Sequence, residues 1–79
     1  MHIDYLIQMA NDIGAFFSSE SEPSAAAASI HQHIKRFWDP RMRAQILAHY
    51  HDSRGADLEG PVLAAVKLLA GEQQKKAAQ

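Results

Sequence analysis

The stretch that decides the fold, residues 35–43, reads Lys-Arg-Phe-Trp-Asp-Pro-Arg-Met-Arg. Pro40 disfavours the α-helical conformation at the residue before it, so a helix arriving from the N-terminal side should end near Trp38. Asp39 suits the N-cap of a second helix, because its carboxylate can accept the free amide hydrogens of the first turn. Pro40 then fits the first helical position, where no amide hydrogen is needed. The stretch therefore predicts a corner between two helices.

The first helix is predicted over residues 3–17, where apolar residues recur at three- and four-residue spacing. This stripe consists of Ile3, Leu6, Ile7, Ala10, Ile13, Gly14 and Phe17. Tyr5, Met9 and Phe16 fall on an adjoining face, so the apolar surface is wider than a lone surface helix needs. Either another helix of the same domain or a partner protein should cover that second face.

The helix that enters the corner is predicted from about Pro23 to Trp38. Its buried stripe consists of Ala26, Ile30, Ile34 and Phe37. The alanines near its start favour close approach of a neighbouring helix. His31 lies seven positions before Trp38 at the edge of the stripe, so its ring is placed to cover the indole.

The helix that leaves the corner is predicted from Pro40 to about His51. Its apolar arc consists of Met42, Ile46, Leu47 and Tyr50. Arg43 falls inside this arc, so its stem should lie on apolar surface while its guanidinium group finds a partner. Asp39, four residues earlier, is the nearest candidate.

A turn over residues 52–57 separates this helix from a last one that opens at Gly60-Pro61. The apolar residues of the last helix are Val62, Leu63, Val66 and Leu69. Gly71 fits a helix C-cap, and residues 72–79 should form a frayed, flexible tail. The pattern predicts an all-α fold, a small bundle of four short helices in a single domain over residues 1–71.

The bulk composition narrows the classes of function. The chain has 79 residues, a net charge of −1 and no cysteine, which excludes disulfides, thiolate metal sites and cysteine-bound Fe–S clusters. A domain of this size buries only roughly 60% of its unfolded surface, so a partner could add stability. The sequence shows neither a signal peptide nor about 18 consecutive apolar residues. We therefore expect a cytoplasmic protein without a membrane partner.

Two His-x-His pairs, His31 with His33 and His49 with His51, raise the question of a metal site. Positions i and i+2 of a helix point about 200° apart, so neither pair suits one metal ion. No base lies beside a nucleophile, no carboxylates are paired at a diagnostic spacing, and no glycine-rich phosphate loop is present. We therefore expect no metal, no cofactor and no catalytic residues in this chain.

The basic corner from Lys35 to Arg43 combines four cationic residues with two aromatic ones. That composition is also typical of nucleic-acid contacts. Four charges make a small patch, however, and aromatic residues at helical spacing usually pack in a core. A small helical nucleic-acid-binding or regulatory protein that uses this corner is the alternative function.

Two segments resemble the small delta subunit of NAD-dependent formate dehydrogenases. One is Met-Ala-Asn-Asp-Ile-Gly-Ala-Phe-Phe over residues 9–17, and the other runs from His33 through the corner to Arg43. The resemblance covers roughly residues 3–70. It implies a non-catalytic accessory subunit of a cytoplasmic molybdenum or tungsten enzyme. It also implies that a large alpha subunit oxidises formate at a molybdopterin cofactor, and that beta and gamma subunits pass electrons to NAD through FMN and Fe–S clusters.

On this resemblance the partner is the large catalytic subunit, with neither nucleic acid nor a membrane involved. The candidate partner contacts are Tyr5, Met9, Phe16, Arg36, Trp38, Arg41 and Arg43. Arginine is favoured at such contacts because its planar head pairs carboxylates while its stem lies on apolar surface. Trp38 is also expected to anchor the corner from within the core. The role in assembly, cofactor insertion or stability, the choice of Mo or W, and the oligomeric state of the isolated chain stay open.

Overall fold

The computed structural model describes residues 2–19 and 22–78, with side chains described as far as residue 72. The elements are α1 (Ile3–Phe16), α2 (Pro23–Phe37), α3 (Pro40–Ser53) and α4 (Gly60–Ala78). No strand occurs in the described part of the chain. The predicted all-α fold of four helices is confirmed.

The corner between α2 and α3 has the predicted geometry. Trp38 follows the last residue of α2 in an extended conformation, and its amide donates to the Ile34 carbonyl at 3.0 Å. Asp39 is the N-cap of α3, where its carboxylate accepts the Met42 amide at 3.0 Å. Pro40 occupies the first turn, so the helix loses no hydrogen bond to the missing amide proton.

The core lies where all four helices meet, and α2 packs most extensively on α4. The largest fully buried side chains are Leu6, Ile30, Ile34, Ile46, Val62 and Val66. Ala26 and Ala27 of α2 are also buried, as are Ala65 and Ala70 of α4. Small residues on both helices let their backbones approach closely, in line with the predicted role of the alanines.

The predicted burial of Phe37 is wrong, because this side chain is 69% exposed. α2 ends at Phe37 and the backbone at Trp38 turns extended. This change of direction carries the next side chain inward, and Trp38 is only 5% exposed. The indole of Trp38 therefore occupies the core position that helical spacing predicts for the phenyl ring of Phe37.

The connection between α3 and α4 begins two residues later than predicted. Arg54, Gly55 and Asp57 all have positive φ angles. Gly55 has a φ of 77°, which favours glycine, and an added Cβ would also clash with Leu63 unless the terminal methyl group of that side chain moved.

The helix end predicted at Gly71 is wrong, because α4 continues past it to Ala78. The next residue, Glu72, contacts α2 through Lys35 and His31, which holds the chain against the bundle beyond the glycine. The side chains of residues 73–79, which make up most of the predicted tail, lie outside the described residues. Flexibility of that tail stays a prediction.

Candidate protein interface

An aromatic row crosses the surface between α1 and α2. It consists of Phe16, Phe17, His33 and Phe37. The ring centroids of consecutive members are 5.1, 6.3 and 4.8 Å apart along this order. Phe16 is 78% exposed and Phe37 is 69% exposed, while Phe17 and His33 are half-buried between them. The row presents two large apolar side chains to solvent on a partly buried base.

Local sequence and helix packing together place the row. Phe17 caps the C-terminus of α1 and packs against the core. His33 and Phe37 are four residues apart, so they lie one above the other on the same flank of α2. The packing of α1 beside α2 brings Phe17 within ring contact of His33. The edge-to-face arrangement of Phe16 on Phe17 is one that aromatic pairs prefer.

The second face of α1 divides into exposed and covered residues. Tyr5 is 58% exposed and Phe16 more so, and neither is buried by another described element. Met9 instead is half-buried and packs against the core. The bundle itself therefore covers Met9, while the candidate contacts Tyr5 and Phe16 remain open to a partner.

A second feature is the basic groove between α2, α3 and α4, with a volume of about 230 Å³. Its lining residues are Lys35, Pro40, Arg43, Ala44, Leu47, Leu69 and Glu72. The Glu72 carboxylate lies 3.4 Å from Lys35 Nζ and 2.9 Å from His31 Nε2. The groove thus has an apolar floor, a cationic rim and one carboxylate of its own.

The three candidate arginines differ in exposure. Arg36 and Arg41 are exposed, whereas Arg43 is half-buried at the groove. Among the ion pairs of the described residues, none involves these arginines. The expected pairing of Arg43 with Asp39 is not formed, because the Asp39 carboxylate caps α3 instead. Their guanidinium charges are available to an external anion.

The buried position of Trp38 bears on both of its predicted roles. Its indole belongs to the hydrophobic core cluster, which supports the anchoring role. Trp38 offers almost no surface to a partner in this conformation.

The two histidines of each His-x-His pair have different surroundings. His31 is buried and directed at Glu72, whereas His33 belongs to the aromatic row. His49 Nε2 lies 2.7 Å from the Ala56 carbonyl oxygen and serves the α3–α4 connection. Within the residues that the structure describes, no group of three or more potential ligands is assembled for a metal ion.

Three features of this surface escaped the sequence analysis. His33 is interpreted from the sequence as half of a histidine pair and as the start of the second family-like segment, without use of its four-residue spacing to Phe37. Phe37 is predicted to lie in the core and Glu72 in the tail. Nothing in the local sequence indicates the contact between Glu72 and Lys35.

A comparison with protein families gives a match over most of the chain. A protein-family model described as the NADH-dependant formate dehydrogenase delta subunit FdsD matches residues 5–66. Neither the curated proteins nor the solved structures contain a significant match. In the part of the chain that the structure describes, no helix has the length and apolar character needed to cross a bilayer.

Proposed function

The chain belongs to the FdsD family of formate dehydrogenase delta subunits, and from this membership we propose that it docks on the large catalytic subunit as a non-catalytic accessory subunit. The observation that carries the proposal is the aromatic row, with Phe16 and Phe37 both exposed. Its site of action is proposed to be the cytoplasmic molybdenum- or tungsten-containing complex. Its role there would be to support assembly, cofactor loading or stability.

The energetics of exposed aromatic side chains support docking at the row. Phenylalanine contributes a large apolar area, and aromatic residues are enriched where protein interfaces are most completely buried. The half-buried Phe17 and His33 fix the base of the row, so less side-chain entropy is lost when a partner covers it. Two large exposed phenyl rings at the two ends of one row, on so small a domain, are typical of an interaction site.

The chemistry of the chain supports an accessory role. It has no cysteine to ligate an Fe–S cluster. We infer that the molybdopterin cofactor, the Fe–S clusters, FMN and the NAD site lie on other subunits. The contribution proposed for this chain is contact area, supplied by the row and by the exposed Tyr5 on the same helix as Phe16.

Affinity capture tests the proposal. The tagged chain and the large subunit are co-expressed, and the recovered large subunit is quantified for wild type, Phe16→Ala and Phe37→Ala. We expect each variant to lose at least about tenfold in affinity, as for residues at the centre of an interface. Leu68→Ala is the matched control, because Leu68 is 49% exposed on α4 and lies outside the row.

Circular dichroism melts accompany the capture measurements. Because Phe16 and Phe37 are exposed, their variants should melt near the wild-type temperature. The docking proposal is wrong if both alanine variants recover as much large subunit as wild type does.

A further inference from the structure

The basic groove carries more positive than negative charge. Lys35 and Arg43 line it, and Arg36 and Arg41 are exposed at the same corner. Of the described residues, Asp39 and Glu72 place carboxylates nearby, and both are engaged within the chain. Asp39 caps α3, and Glu72 contacts Lys35 and His31. Among the described residues, the guanidinium groups of the corner therefore have no carboxylate partner.

Glu72 is held in the groove by close contacts, one of which lacks good hydrogen-bond geometry. Its nearest partner is His31 Nε2 at 2.9 Å. The two atoms are close, yet the ring nitrogen is buried and has no hydrogen bond of good geometry. We therefore regard the contact as a close approach and not as a hydrogen bond. The Glu72 side chain is itself 44% exposed, so it can leave the groove without unfolding the bundle.

We propose that the basic groove binds an acidic segment of the catalytic subunit, and that Glu72 occupies the place of one of its carboxylates in the free chain. In the complex, a partner carboxylate meets Lys35 and Arg43, and an apolar side chain covers Leu47 and Leu69. Further acidic residues of the segment reach Arg36 and Arg41. The identity of the partner rests on the proposed function, whereas the chemistry of the segment rests on the groove.

The lining of the groove favours a polypeptide over a nucleic acid. Its floor is formed by Pro40, Ala44, Leu47 and Leu69, which suits an apolar side chain and offers nothing to a phosphodiester. Of the two large aromatic residues at the corner, Trp38 is buried and Phe37 belongs to the aromatic row, outside the groove. Guanidinium groups pair carboxylates with two parallel hydrogen bonds, which gives such a groove both affinity and register.

The groove and the aromatic row lie on different flanks of α2. His31 and Lys35 are four residues apart and contact Glu72 of α4. His33 and Phe37 occupy the positions two residues later, about 200° further around the helix. Substitutions at the groove therefore leave the row intact, so the two surfaces can be tested separately.

The test measures the dissociation constant of the full-length chain on the immobilised catalytic subunit, at NaCl concentrations from about 50 to 300 mM to vary screening. Glu72→Gln removes the internal carboxylate, so we expect roughly three- to tenfold tighter binding at low salt. Arg43→Gln should weaken binding about tenfold and flatten its salt dependence. Lys67→Gln is the control, because Lys67 is exposed on α4 outside the groove, and it should change neither quantity.

Two further probes separate this inference from the proposed function. One is a synthetic peptide of alternating glutamate and leucine residues, and the other is a single-stranded oligonucleotide. If wild type binds the catalytic subunit and both groove variants bind equally well, the groove inference is overturned while the proposed function stands. If only the peptide binds, and Arg43→Gln weakens it, the groove takes carboxylates but the proposed function fails. Oligonucleotide binding that Glu72→Gln strengthens, with the peptide unbound, overturns the acidic-segment inference.

Discussion

Gly14 of α1 lies so close to Val62 of α4 that a Cβ added to the glycine would stand 2.5 Å from Val62 Cγ2. Val62 is fully buried, and its branched side chain has few rotamers into which it can move. Replacing Gly14 with alanine gains about 1 kcal/mol of helix propensity but overpacks this contact by about 1–3 kcal/mol. We therefore expect Gly14→Ala to destabilise the fold by about 1 kcal/mol, measured by urea unfolding.

Gly71→Ala is the matched control for the steric explanation. An added Cβ at Gly71 meets no atom within 4 Å, and the position is inside α4. The same substitution should there stabilise by about 0.4–1 kcal/mol. In a Val62→Ala background, Gly14→Ala should lose most of its cost. Equal costs in both backgrounds would show that the clash is not the cause.

Asn11 fastens the α3–α4 connection to α1. Its Nδ2 donates to the Asp57 carbonyl at 2.9 Å, and its Oδ1 accepts the Glu59 amide at 3.1 Å. Two hydrogen bonds of this kind contribute about 1–2 kcal/mol together, so Asn11→Ala should lower the free energy of unfolding by that amount. The Glu59 amide should also exchange its hydrogen faster. Asp12→Ala, on the exposed side of the same turn, should change stability by less than about 0.5 kcal/mol.

The helices were predictable because their signals are local. Each proline opens a helix, and Asp39 with Pro40 fixes the corner through bonds between residues three apart. Contacts between distant residues have no such signal. The Asn11 hydrogen bonds span 46 and 48 residues, and the Glu72 contact joins α4 to α2. No periodicity in the chain encodes either one.

Local spacing also predicts a part of the candidate site. The place of Tyr5 and Phe16 outside the α1 stripe leaves open whether another helix or a partner covers them, and Met9 of the same face packs against the core. The prediction for Phe37 is wrong because it assumes that helical spacing continues through the corner. The backbone at Trp38 is extended instead, so the indole points inward in place of the phenyl ring. The aromatic row also depends on how α1 packs beside α2, which the sequence of neither helix determines alone.

Alanine variants of Trp38 and Phe37 test which of the two rings anchors the corner. Trp38→Ala removes a buried indole and should cost about 3–5 kcal/mol. Phe37→Ala truncates an exposed ring, so the expected change in stability is within about 0.5 kcal/mol. Thermal melts of both variants measure the difference. Similar losses would mean that the corner packs both rings and that the indole is not the main anchor.

The last prediction concerns Arg41 and Tyr5, two candidate contacts that the structure leaves exposed. Arg41→Glu reverses a surface charge that takes part in no ion pair of the described residues. The fold should be unaffected, while like-charge repulsion weakens capture of the catalytic subunit by about tenfold at low salt. Tyr5→Glu should likewise weaken capture, because it places a charge on apolar contact surface. Met9→Glu is a poor test, since Met9 packs against the core and its loss would disturb folding.

Lys67→Glu controls for the charge change, because Lys67 is exposed on α4 and lies outside the aromatic row and the basic groove. It should capture the catalytic subunit as wild type does. Capture at high salt distinguishes the two contacts. Screening should reduce the loss of capture caused by Arg41→Glu more than the loss caused by Tyr5→Glu. If both variants capture as much catalytic subunit as wild type at low salt, then docking uses a different surface or the chain is not an accessory subunit of that enzyme.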